Sequence, residues 1–225
     1  MPNIDKWHNA FLRGATVFIL GNGPSIKEFA PHMPKIHESF PSISMNRGYE
    51  VKPHGDFYVT LMDTFYLNKV KDSGYKAVFV VGSYTEIPEN IRHGFKPTLT
   101  CIPRLSKHDP PPKDPLDLSE GFKVSHTGIL ALHLASWMGF DMAILLGYDG
   151  CGRHFMPRVQ PDDNPNHTRH IAEMKAFMAL NHGMTIYNCV KDNGYGHEYL
   201  PWECAFSEGH MHGWTKLYRQ NTNLC

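Results

Sequence analysis

The sequence predicts an α/β protein: a Rossmann-like, doubly wound and mostly parallel sheet with helices on both faces and a lid segment. Two features of the 225-residue chain predict this fold. Short apolar runs rich in β-branched residues are typical of strands buried on both faces. Helical patterns separate these runs, and strands that alternate with helices form parallel sheets through right-handed crossovers. The length suits a single domain covering residues 1–225.

The first strand is predicted at residues 15–20, where the run ATVFIL ends in Gly-Asn-Gly-Pro. The same reasoning places six more strands along the chain, at residues 42–45, 56–62, 77–81, 98–102, 142–146 and 184–188. Ligands of such sheets lie beyond the carboxyl ends of the strands, so the loops that follow the strands are where function is expected.

Helices are predicted from residue 26 onward and at residues 64–71, 127–139 and 168–182. Ser25 and Glu28 have the spacing of a capping box at the start of the first helix. We expect Pro31 and Pro34 to end that helix. The segment 127–139 is apolar almost all round, which predicts burial between the sheet and neighbouring elements.

The turn GNGPS at residues 21–25 is the most informative motif. Gly21 and Gly23 let the backbone turn sharply and approach a ligand. The following helix directs free N–H groups and partial positive charge at that point, which favours phosphate. Asn22 could donate its amide to a phosphate oxygen, and Ser25 completes the candidate binding turn. An ordinary tight turn between strand and helix explains the pattern equally well.

A second candidate anion site precedes the buried helix at residues 125–128 (SHTG). Ser125 or Thr127 could cap the helix, and the N–H groups from Thr127 and Gly128 onward would face an anion. Ordinary capping without a ligand is the alternative. Asn46 follows the second strand and is expected at the same edge of the sheet.

Two acidic residues follow strands. Asp149 ends the strand at 142–146 and is placed to bind a sugar hydroxyl, to hold a metal, or only to stabilise its own turn. Asp63 ends the third strand and could hold Mg²⁺ or a ribose hydroxyl. Mg²⁺ is thus an open alternative, and no recognised zinc-ligand spacing is present.

Residues 148–170 are too long and polar for a simple connection and predict a lid or active-site loop. Arg153 and Arg158 could clamp a phosphate. His167 or His170 could act as a general base, because imidazole titrates near neutral pH. For each histidine a solvated surface position is the alternative.

The composition limits the partners and the compartment. The formal net charge is zero, which argues against non-specific binding to nucleic acid. No apolar run is long enough to span a bilayer, and five widely spaced cysteines without a CxxC pair favour reduced thiols. We therefore expect a cytoplasmic protein without membrane contact. The irregular C-terminal segment, residues 190–225, is rich in Gly, Trp and Tyr and would suit contact with a second copy of the chain.

Two segments carry a resemblance to known families. ILGNGPSIKEF at residues 19–29 resembles the opening loop of the bacterial CMP-sialic-acid sialyltransferases, and also that of the archaeal pterin diphosphokinase-like (DUF115-type) proteins. SHTGILALHLASWMGFDMAILLGYDGC at residues 125–151 resembles a later block of the same superfamily. The resemblance covers roughly residues 15–190, with gaps.

The sialyltransferase resemblance implies site roles. Asn22 would contact the nucleotide phosphate, Asn46 would bind the nucleotide, and Thr127 would match the hydroxyl before the helix glycine. A lid histidine would be the base, with His167 the first candidate and His170 the second. The lid tyrosines of that family have no clear counterpart, and Arg153 and Arg158 are the candidates to replace them.

Three functions are carried forward from these motifs. The first is a nucleotide-sugar-dependent glycosyltransferase of phage or bacterial type, with a saccharide or a modified nucleobase as acceptor. The second, implied by the diphosphokinase resemblance, is a diphosphokinase on a small heterocycle that uses ATP and Mg²⁺ with Asp63 and Asp149. The third is a nucleotide-binding module without catalysis.

Overall fold

The computed structural model describes residues 4–11, 14–61, 64–82, 89, 91, 94–95, 98–106, 108–123, 126–150, 167–180 and 182–206. Within these residues eight strands form one parallel sheet in the order β5-β4-β3-β2-β1-β6-β7-β8. The strands are β1 Thr16–Leu20, β2 Ser42–Met45, β3 Phe57–Leu61, β4 Ala77–Val81, β5 Thr98–Ile102, β6 Met142–Leu146, β7 Thr185–Asn188 and β8 Glu198–Tyr199. The predicted Rossmann-like α/β fold is confirmed.

Five α-helices are described: α1 Ile26–Phe29, α2 Met33–Ser39, α3 Thr64–Val70, α4 Thr127–Trp137 and α5 His167–Met178. Short 3₁₀ turns add to them at Ile4–Trp7, Ala30–His32, Asn46–Glu50, Leu118–Glu120 and Trp202–Phe206. No helix in the described part of the chain is long and apolar enough to cross a bilayer.

The helical segment after β1 differs from the expectation. α1 ends at Phe29, before Pro31, but the chain stays helical, because Pro31 and Pro34 each stand in the first turn of a new segment, the 3₁₀ turn Ala30–His32 and the helix α2. A missing N–H is harmless in a first turn, where that group has no intrahelical partner. The capping box is also wrong, since the side chain of Ser25 makes no cap hydrogen bond.

β1 shows why the sheet is covered on both faces. Its side chains alternate: Val17 and Ile19 join one buried cluster, while Phe18 and Leu20 join another on the opposite face. Ten of the eleven residues of α4 are buried, as its apolar sequence predicts, and its apolar side chains join the first cluster. This helix packs against β1, β2 and β3, so its first residue reaches the edge where those strands end.

The strand order reverses beside β1. The chain runs outward from β1 to β5 and then returns through α4 to β6, which pairs with the other side of β1. The loops after β1 and β6 therefore flank the switch point, where ligands of such folds usually bind.

Candidate functional site

The turn after β1 packs directly on the turn after β6. The amide of Gly21 donates to the carbonyl oxygen of Leu146 at 2.7 Å, and the amide of Gly23 donates to that of Gly147 at 2.8 Å. A Cβ atom on either Gly21 or Gly23 would collide with the Gly147 carbonyl group. Contact between these two loops is sufficient to explain why both positions are glycine.

Ser25 and Asp149 lock the two turns together. The Ser25 hydroxyl donates to Oδ2 of Asp149 at 2.9 Å, and its amide donates to Oδ1 at 3.2 Å. The carboxylate of Asp149 thus accepts hydrogen bonds from both the amide and the hydroxyl of Ser25. Asp149 stabilises a neighbouring turn instead of only its own.

Asn22 carries the polar side chain of this turn that makes no hydrogen bond to a described residue. It is only 9% exposed, and its Oδ1 atom is buried without a hydrogen-bond partner. A buried, unpaired amide oxygen costs about 1–3 kcal/mol, so such a group calls for a donor from a ligand or a water. Asn22 thus keeps its place among the candidate binding residues.

Asn46, which follows β2, is held in a left-handed conformation with φ of 42°. Its carbonyl oxygen accepts a short hydrogen bond from the hydroxyl of Tyr58, a fully buried residue of β3. Its side-chain oxygen lies 3.1 Å from the hydroxyl of Thr60. That hydroxyl is also 2.9 Å from the carbonyl oxygen of Leu61, so two acceptors compete for one proton.

Thr127 brings α4 to the same point. Its hydroxyl donates to Oδ1 of Asn46 at 3.3 Å, and its side chain is buried. The expectation that Thr127 caps α4 is wrong, because His126 occupies the N-cap position and makes no side-chain cap hydrogen bond. Since Oδ1 of Asn46 faces these two hydroxyl groups, its NH₂ group points away from them.

Tyr148 joins the two candidate turns. Its hydroxyl donates to the carbonyl oxygen of Gly128 at 3.1 Å, while a Cβ atom added to Gly21 would lie 2.8 Å from its ring. Burial raises the pKa of Tyr148 well above its usual value, so the hydroxyl stays a donor across the neutral range. The turns of Asn22 and Thr127 therefore lie on one side of the molecule, with a buried aromatic ring between them.

Two histidines stand beside this edge. The rings of His126 and His170 are 4.1 Å apart between centroids and tilted by 35°. The sequence arguments singled out His170 and missed His126, whose position before a helix gave no sign of a partner on α5. His167 begins α5, and its side chain lies outside the described residues.

Several expected site residues cannot be compared with the structure. Asp63 and the lid residues 151–166, including Arg153 and Arg158, lie outside the described residues. Among the described residues no group of three or more His, Cys, Asp or Glu side chains could hold a metal ion.

Comparison with known proteins gives structural likeness only. No protein-family model and no curated protein sequence matches the chain significantly. The MAf glycosyltransferase of Magnetospirillum magneticum AMB-1 superposes with a TM-score of 0.59 and 16% identity over 86% of this chain. The match covers 34% of the MAf chain, so this protein corresponds to about a third of it.

The sialyltransferase CstII of Campylobacter jejuni, solved with CMP, matches with a TM-score of 0.52 and 14% identity. The match covers 83% of this chain and 85% of CstII. A CstII structure with CMP and a trisaccharide acceptor gives a TM-score of 0.51 at 12% identity, over 83% of this chain and 86% of that one. At these identities the likeness establishes a fold shared with glycosyltransferases, and it adds no support for the diphosphokinase resemblance.

Proposed function

We propose that this protein is a glycosyltransferase that moves a sugar from a nucleotide-sugar donor to an acceptor hydroxyl. The observation that carries the proposal is the way Asn46 is held at the end of β2, beside the first residue of α4. Tyr58 donates to its carbonyl oxygen, and Thr60 and Thr127 donate to its side-chain oxygen. These contacts orient the amide, and its NH₂ group would donate to the nucleotide.

The donor would lie across the ends of β1 and β2 and the start of α4. Asn22 and Asn46 would give hydrogen bonds to the nucleotide. Thr127 and Gly128 are the first two residues of an eleven-residue helix, so their amides have no intrahelical partner. Their N–H groups and the partial positive charge of the helix start would stabilise the phosphate as it departs.

The transfer itself needs one proton acceptor. The hydroxyl oxygen of the acceptor molecule forms a bond to the anomeric carbon of the sugar, and the hydroxyl proton passes to a base. The bond from that carbon to the donor phosphate oxygen breaks, and the phosphate keeps the electron pair. His170 is the base we favour, because its ring lies against the residue that precedes Thr127. His167 is the alternative, and Asp149 is less suited because it is engaged with Ser25.

The neighbours suggest the first ligands to try. The CstII structures contain CMP, and one contains a trisaccharide acceptor. Cytidine and uridine nucleotides and their sugar conjugates are therefore the first donors to test. Saccharides are the first acceptors, with modified nucleobases as the alternative. Each donor is tested with and without Mg²⁺.

A thermal-shift screen followed by a turnover assay tests the proposal. A nucleotide at one hundred times its Kd should stabilise the protein by about 2.7 kcal/mol. Asn46→Gly removes the amide and keeps a residue that tolerates positive φ, and should weaken binding about tenfold or more. Asn9→Gly is the matched control, because Asn9 is an exposed asparagine with φ of 50°. Its binding should be unchanged.

The three candidate functions predict different results in these two assays. Release of nucleotide from a nucleotide sugar, with sugar transferred to an acceptor, supports the proposal. Tight binding of a nucleotide that stays intact would indicate a binding module instead. A shift with ATP only in the presence of Mg²⁺ would indicate a diphosphokinase, and equal binding by wild type and Asn46→Gly would remove Asn46 from the site.

A further inference from the structure

The turn that begins at Asn46 is held through its carbonyl oxygens by side chains from outside the turn. The hydroxyl of Tyr75 donates to the carbonyl oxygen of Gly48 at 3.0 Å, and Nε2 of His54 donates to that of Tyr49 at 2.9 Å. The rings of Tyr75 and His54 stack on each other, with centroids 4.9 Å apart. Together with the hydrogen bond to the carbonyl oxygen of Asn46, these contacts fix the backbone that carries the side chains of Asn46 and Tyr49.

Tyr49 belongs to a group of aromatic rings at the ends of β2 and β3. Its ring centroid lies 6.3 Å from that of Tyr66, and the two planes are inclined by 49°. Phe65 contacts Tyr66 edge-on, with centroids 5.5 Å apart and planes at 69°. Phe65 and Tyr66 lie in the first turn of α3, which begins just after β3 ends. All three rings therefore lie beyond the carboxyl ends of these strands.

The group is anchored in the core and reaches the surface. Tyr49 and Tyr66 are partly buried and pack against the buried cluster that includes Leu67. The ammonium group of Lys69 lies 5.6 Å from the ring centroid of Phe65, and Phe65 remains 56% exposed. A scattered aromatic side chain on a surface is ordinary, whereas these rings contact one another where ligands of this fold bind. The three rings together form an aromatic platform.

We propose that the aromatic platform, formed by Tyr49, Phe65 and Tyr66, stacks the base of the donor nucleotide. The inference rests on the proposed function, in which the NH₂ group of Asn46 donates to that nucleotide. Tyr49 follows Asn46 within one five-residue turn, and the chain between them spans at most about 11 Å. A base attached to a group held at Asn46 is thus within reach of the rings. Stacking accepts any base, because every base has a π-face.

A base suits this position better than the acceptor saccharide does. α3 and the platform belong to the buried cluster of Tyr58, whereas α4 and α5 belong to that of Val59. Tyr58 and Val59 are neighbours in β3, so they point to opposite faces of the sheet. A nucleotide that crosses the strand ends at Asn46 would therefore have its phosphate at the start of α4 and its base at the platform. The anomeric carbon and His170 stay on the α4 side, where the acceptor must approach.

Titrations of Phe65→Ala and Tyr66→Leu with CMP, UMP and AMP test the stacking. The Kd of each nucleotide that binds the wild type should rise about fivefold or more in both variants. Phe65 is largely exposed, so its truncation leaves the core intact, and Tyr66→Leu keeps apolar packing against the buried cluster. Tyr199→Ala is the matched control, because Tyr199 is an exposed tyrosine of β8, and it should leave the Kd unchanged.

NMR spectra of the bound nucleotide report the contact directly. Ring currents of the platform should shift the base protons upfield more than the ribose protons in the wild type. This difference should shrink in Phe65→Ala. A purely structural effect of the substitution would weaken binding and leave the pattern of shifts in the remaining complex unchanged, and it would contradict the inference.

Kd values within about twofold of wild type in both variants would overturn the stacking role, even where sugar transfer is observed. A change confined to the KM of an acceptor saccharide would also overturn it, as would a dimer that dissociates in Phe65→Ala. Weaker nucleotide binding in both variants, without turnover of any donor, would leave the platform standing and remove the proposed function. Failure of all three nucleotides to bind would overturn both.

Discussion

The hydroxyl of Thr127 donates to the side-chain oxygen of Asn46 at 3.3 Å, although the two residues are 81 positions apart in the sequence. This contact fixes which end of the amide faces the protein. Asn46 is therefore oriented by residues of both β3 and α4, so substitutions in those elements should change ligand binding.

Thr60→Val should weaken nucleotide binding about fivefold, because it removes a hydroxyl that lies 3.1 Å from Oδ1 of Asn46. Thr100→Val is the matched control. Thr100 is also fully buried in a strand, but its hydroxyl has no hydrogen-bond partner in the described part of the chain. The control should leave the Kd unchanged. Isothermal titration calorimetry on both variants measures the difference, and equal affinities would contradict the orienting role of Thr60.

Ser25 and Asp149 should couple by about 1–2 kcal/mol in a double-mutant cycle built from Ser25→Ala and Asp149→Asn. The free energy of unfolding in urea is the quantity to measure. The exposed pair Ser119 and Asp117, with hydroxyl and carboxylate 2.6 Å apart, is the control and should couple by less than about 0.5 kcal/mol. A coupling near zero for the first pair would show that the two turns are not held together by this contact.

Gly23→Ala should destabilise the fold by about 1–3 kcal/mol, since the added methyl group meets the carboxylate of Asp149 and the carbonyl of Gly147. Gly74→Ala is the control. Among the described residues, the one atom within 4 Å of its added methyl group is Nδ1 of His54, at 4.0 Å. Urea unfolding should show Gly74→Ala to be neutral or slightly stabilising. Similar losses in both variants would count against close packing of the glycine turn.

Stability should fall as the pH drops from about 6.5 toward 4, because two histidines are buried in the neutral form. Burial lowers the pKa of His133 to about 3, with a further contribution from His182, and burial lowers the pKa of His197 to about 4. The unfolded chain binds protons at these sites near pH 6.5, so it gains protons that the folded state lacks. Stability from each site is complete above that pH and is lost progressively below it.

His197→Phe isolates one of these contributions, since neither ring nitrogen of His197 has a hydrogen-bond partner among the residues that the structure describes. Between pH 7 and pH 5, the loss of unfolding free energy should be smaller in the variant by about 2 kcal/mol. Urea unfolding at the two pH values provides the measurement. An identical pH dependence in wild type and variant would mean that His197 is not buried in its neutral form.

The strands and the buried helix could be predicted from the sequence because their apolar runs are local signals. β6 and α4 lie where the patterns placed them, apart from the last two residues of the helix. β8, Glu198–Tyr199, was missed because both of its residues are exposed and it carries no apolar run. Its existence depends on pairing with β7, which is a tertiary property.

The site was only partly predictable for a similar reason. Asn46 and Thr127 were expected at one edge because parallel strands end together, and the structure brings them into contact. The partner of Ser25 could not be predicted, because it is Asp149, 124 positions away, and depends on how two loops pack. A glycine-rich turn looks the same in sequence whether it faces a ligand or another turn.

The closed contact between the glycine turn and the β6 loop has a practical consequence for redesign. Backbone packing leaves little room there for added side chains, so libraries that vary residues 21 and 23 should lose stability. The ends of β2 and β3 carry amide and hydroxyl groups instead, and altered ligand preference should be sought by varying those residues.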